Sequence, residues 1–73
     1  MSPETAETAI KELVKQIRSR LEEAAHTARA GQACAEAGSP EKGIEVVLEM
    51  GQLLYEAMKL LEGTLGVSRC AKA

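Results

Sequence analysis

From Ile44 to Leu65, apolar residues occupy more of a helical surface than one partner helix can cover. Ile44, Val47, Leu48, Gly51, Leu54, Tyr55, Met58, Leu61 and Leu65 recur at steps of three and four and form one stripe, while Val46, Met50, Leu53, Ala57 and Leu60 broaden it or fall beside it. An amphipathic helix in a small domain shows one apolar stripe and an opposite polar face. A helix with this excess needs two neighbours, and the rest of the chain supplies one full helix. The pattern therefore points to a binding partner rather than to a reaction.

The chain's size makes the excess more telling. Seventy-three residues make one small helical domain, and a chain this short is marginal without disulfides, metal or oligomerisation. There is no Phe or Trp and only one Tyr, so the core must come from Leu, Ile, Val, Met and many Ala. Alanine contributes little buried area per residue. Net charge is −2, with eleven acidic residues, all Glu, against nine Lys plus Arg. A protein that lives on phosphate backbones carries a basic excess, so this balance argues against nucleic acid as the partner. Lys11, Lys15, Arg18 and Arg20 form the one basic cluster, interleaved with Glu12, Glu22 and Glu23, and read as the solvated face of a first helix.

Pro3 after Ser2, with Glu4 and Glu7 following, reads as a capped helix start. The apolar positions then run Ile10, Val14, Ile17, Leu21, Ala24, Ala28, Gly31 and Ala35, a heptad-like seam that Leu13 widens. Its first half is Ile, Val and Leu, and its second half is Ala and Gly. The small half is expected to face helix two, leaving the Ile10–Leu21 half for helix two or for another protein. Helix one is expected to reach Ala37, with Gly38 as a left-handed cap; a kink near Gly31 is the alternative. Gly38-Ser39-Pro40-Glu41 then punctuates the chain: glycine stops one helix, serine caps the next, and proline takes its first turn. So short a loop makes the helices antiparallel neighbours.

Helix two is expected from Pro40 to Glu62, ended by Gly63 or Gly66. Gly51 lies on the stripe where a partner backbone would pass close, and Gly43 weakens the first turns. At 1.5 Å per residue the helices would reach roughly 50 Å and 35 Å, leaving the N-terminal turns of helix one overhanging. The fold expected is an all-α antiparallel helical hairpin, ordered over residues 3–65, with a flexible C-terminal tail over 66–73.

No set of residues here suits chemistry. His26 is the only histidine, and beside Glu22 and Glu23 it reads as a surface residue. Cys34 and Cys70 have no base at a recognisable spacing, and one His with two separated Cys falls short of a metal set. The two thiols read as free, or as a bridge tying the tail to the end of helix one. The six glycines match no phosphate-binding fingerprint. No enzyme, metal or cofactor is expected. Apolar runs are interrupted well short of the ~20 residues needed to span a bilayer, and no basic segment precedes a hydrophobic run at the N-terminus. The cytoplasm is the compartment expected, with export lacking a cleaved signal left open.

Three short pieces, Arg20-Leu21, Gly38-Ser39-Pro40-Glu41 and Leu61-Glu62-Gly63-Thr64-Leu65-Gly66-Val67, resemble the small co-chaperones of the type III secretion needle subunit. The resemblance covers residues 18–67, and helix two runs longer here than is usual in that group. It implies a cytoplasmic partner of a second, helical-repeat chaperone, the two together keeping the needle subunit monomeric before export. It places the contact on the apolar stripe, with Leu48, Leu54, Tyr55, Met58 and Leu61 as anchors. The residues themselves leave a second arrangement open, a homodimeric four-helix bundle acting as a regulatory or adaptor module. The candidate interface is thus Ile10, Val14, Ile17 and Leu21 on helix one with Leu48, Leu54, Tyr55, Met58 and Leu61 on helix two.

Overall fold

The computed structural model describes residues 2–72, and side chains as far as residue 70. Three helices follow in order: α1 over Pro3–Glu36, α2 over Pro40–Leu48 and α3 over Met50–Lys72. No strand occurs among the described residues. Helices α2 and α3 form one bent arm that runs back along α1, so the chain is the antiparallel hairpin that the Gly-Ser-Pro punctuation predicts, 54 × 14 × 11 Å in extent.

The ends of α1 follow from local chemistry. The Thr5 amide donates to Ser2 Oγ at 3.2 Å, and Pro3 takes the first helical position, where a missing N–H costs nothing. At the other end, Gly38 has φ +92°, which only glycine adopts without strain. The Ser39 amide donates to the Cys34 carbonyl at 3.0 Å and the Gly38 amide to the Ala35 carbonyl at 3.1 Å, the paired bonds of a Schellman motif. Ser39 itself departs from expectation. It occupies the cap position of α2, but its side chain makes no capping bond there. Pro40 and the Gly43 amide bonded to the Ser39 carbonyl at 3.0 Å start the helix instead.

Helix α1 passes through Gly31 without interruption, as expected. Two expectations about the second arm are corrected. The second arm breaks at Glu49, whose amide donates to the Val46 carbonyl at 3.2 Å; this tighter i→i+3 turn, next to Gly51, bends the axis without reversing it. That arm also runs through Gly63 and Gly66 to Lys72, where a stop at one of these glycines and a loose tail over 66–73 are expected; Ala73 lies outside the described residues. The reason lies across the hairpin. The N-terminal turns of α1 carry Ala6, Ile10 and Leu13, and the extended α3 covers them, so that Ala6 is only 2% exposed and no overhang remains.

The two arms meet along a heptad seam on each. On α1 the seam runs through Ala6, Ile10, Leu13, Ile17, Arg20, Ala24, Thr27, Gly31 and Cys34, and on α2 and α3 through Gly43, Val46, Met50, Leu53, Ala57, Leu60, Thr64 and Val67, with Ala9, Gln16, Ala28, Glu56, Gly66 and Ser68 half-covered beside it. Each set steps alternately by three and four, the period that keeps two helices in contact over their whole length. Thr64 is tolerated in the seam because its hydroxyl donates to the Leu60 carbonyl at 2.8 Å. Near the turn the backbones come closest, at Gly31 and Gly43. A Cβ on Gly43 would lie 2.8 Å from the Gly31 carbonyl oxygen, and one on Gly31 would lie 2.6 Å from Val47 Cγ2. Gly43 is thus a position of close backbone approach within the chain, where only a weakened first turn is expected, and Gly51 has nothing within 4 Å of its absent side chain.

Candidate docking face

The heptad seam divides the rod lengthwise into two flanks of opposite character. One flank is polar. Arg20 lies in the α1 seam, not on the solvated basic face, and its Nε donates to Glu56 Oε2 at 2.8 Å across the hairpin. Gln52 Nε2 donates to the other oxygen of the same carboxylate at 3.3 Å. Both ion-pair partners are about one-third exposed, so the pair is more valuable as a register lock than as a source of stability. The Glu7–Lys11 and Arg18–Glu22 pairs form at 3.0 and 2.9 Å, as their spacing predicts, but both are well exposed and add little.

The other flank is apolar. On α1 it carries Val14, Leu21, Ala28 and Ala35, one residue beyond the seam at each seven-residue repeat. On the second arm it carries Ile44, Val47, Gly51, Leu54, Met58, Leu61 and Leu65, a second three-and-four series offset from the seam by a residue, with Leu48 and Tyr55 just outside it. The register set by Gly31 against Val47 and Arg20 against Glu56 brings Leu21 level with Leu54 and Val14 level with Leu61. Near the turn, Ala28, Ala35, Pro40, Ile44, Val47 and Leu48 line a shallow apolar groove above the two glycines. Ten large apolar side chains on this flank and its margin are 43–72% exposed, Leu48 the most. Contiguous apolar surface on this scale is consistent with a protein-binding surface.

The structure therefore sorts the residues that the sequence groups together. Val14, Leu21, Leu48, Leu54, Tyr55, Met58 and Leu61 share the open flank. Ile10 and Ile17 do not; they are half-buried in the seam against the second arm. The series expected to broaden the stripe, Val46, Met50, Leu53, Ala57 and Leu60, makes the intramolecular contact, and the stripe itself is left without a neighbour. Ile44, Val47 and Leu65 join the open face. Tyr55 is 56% exposed, with Lys59 Nζ 5.5 Å from its ring centroid, so its ring is presented outward.

The Arg20–Glu56 contact is a structural feature that the spacing of either helix alone conceals, since its partners lie 36 residues apart. The signal available was the phase of Leu13, Ile17, Arg20 and Ala24, which continues a seam through a charged residue. Cys34 lies near the turn and Cys70 in the distal turns of α3, at opposite ends of the rod, and both are free. A bridge within one chain, which needs Cα atoms within about 7 Å, is thereby excluded. Among the described residues no group of three His, Cys or Glu converges to hold a metal, and no helix is long and apolar enough to cross a membrane.

No family model, curated protein or solved structure matches the chain.

Proposed function

We propose that the chain is a non-enzymatic protein-docking module whose working surface is the apolar flank. The observation that carries this reading is the second heptad series, Ile44 to Leu65, left exposed beside a hairpin whose own seam is already filled. A heptad series is complementary to another helix, so the partner offers at least one helix to lie along it. With the resemblance in residues 18–67, the role that fits is a co-chaperone. The flank would cover helices of a larger helical-repeat chaperone that holds a secretion needle subunit, stabilising it by burial without turnover. Cytoplasmic assembly before export is part of the same proposal. Gross stabilisation by covering the flank follows from its area: each half-exposed Val, Leu, Ile or Met contributes about 1 kcal/mol on burial, about 10 kcal/mol for the set before the costs of association.

The test is co-expression with the helical-repeat chaperone and needle subunit of the same secretion apparatus. A stable complex that survives purification is expected, and Leu54→Glu or Met58→Glu should abolish it while leaving the hairpin helical. Absence of any complex with the unaltered chain, or a complex indifferent to both substitutions, refutes the proposal.

A further inference from the structure

We infer that, before a different partner takes it, the apolar flank is covered by a second copy of the chain, related by a two-fold axis that crosses the flank at the level of Leu21 and Tyr55. This rests on the docking role of the flank and names what occupies it in the isolated protein.

The exposed area matches what a dimer of this chain needs. A large apolar side chain carries on the order of 100 Å² of apolar surface, so the nine Val, Leu, Ile and Met with Tyr55, each about half exposed, offer about 500 Å². An interface of standard size takes about 800 Å² from each partner, about 65% of it apolar in homodimers. The flank alone supplies that apolar share.

The flank is also self-complementary in side-chain size. A two-fold at this level sets the second arm antiparallel to its own copy. Gly51, with nothing within 4 Å of its absent side chain, then lies opposite Met58 of the second copy, and Ile44 lies opposite Leu65. The same axis sets Leu21 of α1 opposite its own copy and Val14 opposite Ala28. Large residues meet small ones at Gly51 and Ala28, as interlocking layers require.

Charge is complementary under the same axis. At the outer edge of the same layers, Glu41 near the start of α2 falls opposite Arg69 near the end of α3, twice by symmetry. Glu62 falls level with Leu48, but its carboxylate already accepts from Lys59 Nζ at 3.4 Å on its own helix. No like-charged pair faces itself along the second arm, because Tyr55 sits at the dyad.

The experiment is light scattering of the full chain across a tenfold or greater dilution, with circular dichroism to check folding. The expected mass is twice the 7.8 kDa of one chain, falling to one chain in Met58→Glu. Glu41→Lys should weaken the dimer at least several-fold, and Glu41→Lys with Arg69→Glu should restore it. In a Cys34→Ser, Cys70→Ser background, Tyr55→Cys should form a covalent dimer under mild oxidation, a readout independent of any loss of fold in Met58→Glu. A monomer at every concentration overturns the inference, as does a dimer untouched by Met58→Glu or one that Tyr55→Cys fails to link. A monomer that still enters the chaperone complex through Met58 overturns only the two-fold dimer. A flank-mediated dimer that enters no such complex supports it and overturns the co-chaperone role.

Discussion

Adding one methyl group at Gly43 tests the packing of the hairpin, because two effects of known size oppose each other there. In a helix interior, Gly→Ala gains about 0.8–1 kcal/mol of propensity. At Gly43 the new Cβ would stand 2.8 Å from the Gly31 carbonyl oxygen and 3.5 Å from Ala35 Cβ. The first neighbour is backbone of a long helix and cannot rotate away, so the arms must separate locally. Overpacking of this kind costs about 1–3 kcal/mol. The net expectation for Gly43→Ala is a loss of about 1 kcal/mol. Gly63→Ala is the matched control: it lies on α3, has nothing within 4 Å, and is off the docking flank. It should gain up to about 1 kcal/mol, leaving a gap between the two variants of about 2 kcal/mol. For a domain of this size that gap corresponds to about 10 °C in midpoint. Thermal and urea unfolding followed by circular dichroism, at one fixed protein concentration, would measure it. Equal stabilisation by the two substitutions would refute the close approach of Gly31 and Gly43.

Three further experiments probe the turn, the ion pair and the seam. Gly38→Ala places a Cβ at φ +92° and should destabilise the hairpin by about 1–2 kcal/mol in the same unfolding assay, with Gly38→Asn milder. A double-mutant cycle on Arg20→Met and Glu56→Gln should return a coupling of about 0.5–1 kcal/mol that shrinks in high salt, since both side chains are about one-third exposed. Leu53→Ala, in the seam, should cost the isolated fold about 2 kcal/mol, whereas Leu54→Ala, 46% exposed, should cost it less than about 1 kcal/mol and act mainly on assembly. Unfolding of each variant beside its binding or mass profile separates the two.

The hairpin was legible because its turn is written in local chemistry. Gly38 needs φ > 0, Pro40 needs a first turn, and neither depends on anything distant. The excess apolar surface was legible for a similar reason, since periodicity is visible within one helix. Which half of that surface faces inward was not. The second arm carries two three-and-four series offset by one residue, Gly43 to Val67 and Ile44 to Leu65, of comparable apolar content. The choice between them is made by α1, whose seam runs through Arg20, Thr27 and Cys34 and so does not read as apolar. Two long-range facts select the register: Gly31 against Gly43, and Arg20 against Glu56. Neither is encoded within a single helix. The helical continuation past Gly63 and Gly66 has the same origin, because the glycine penalty there is outweighed by Thr64 and Val67 continuing the seam over the N-terminal turns of α1.

In the proposed assembly, the surface that becomes covered is the flank bearing Met58, not the seam bearing Met50. Hydroxyl-radical footprinting reads both methionines and Tyr55 in one spectrum. In dilute monomer, Met58 and Tyr55 should be modified faster than Met50, following their exposure. On assembly, with a second copy or with a larger partner, Met58 and Tyr55 should become protected while Met50 changes little. Met58 and Tyr55 remaining fully reactive in the assembled state, or protection confined to the Arg20–Glu56 flank, would contradict the account.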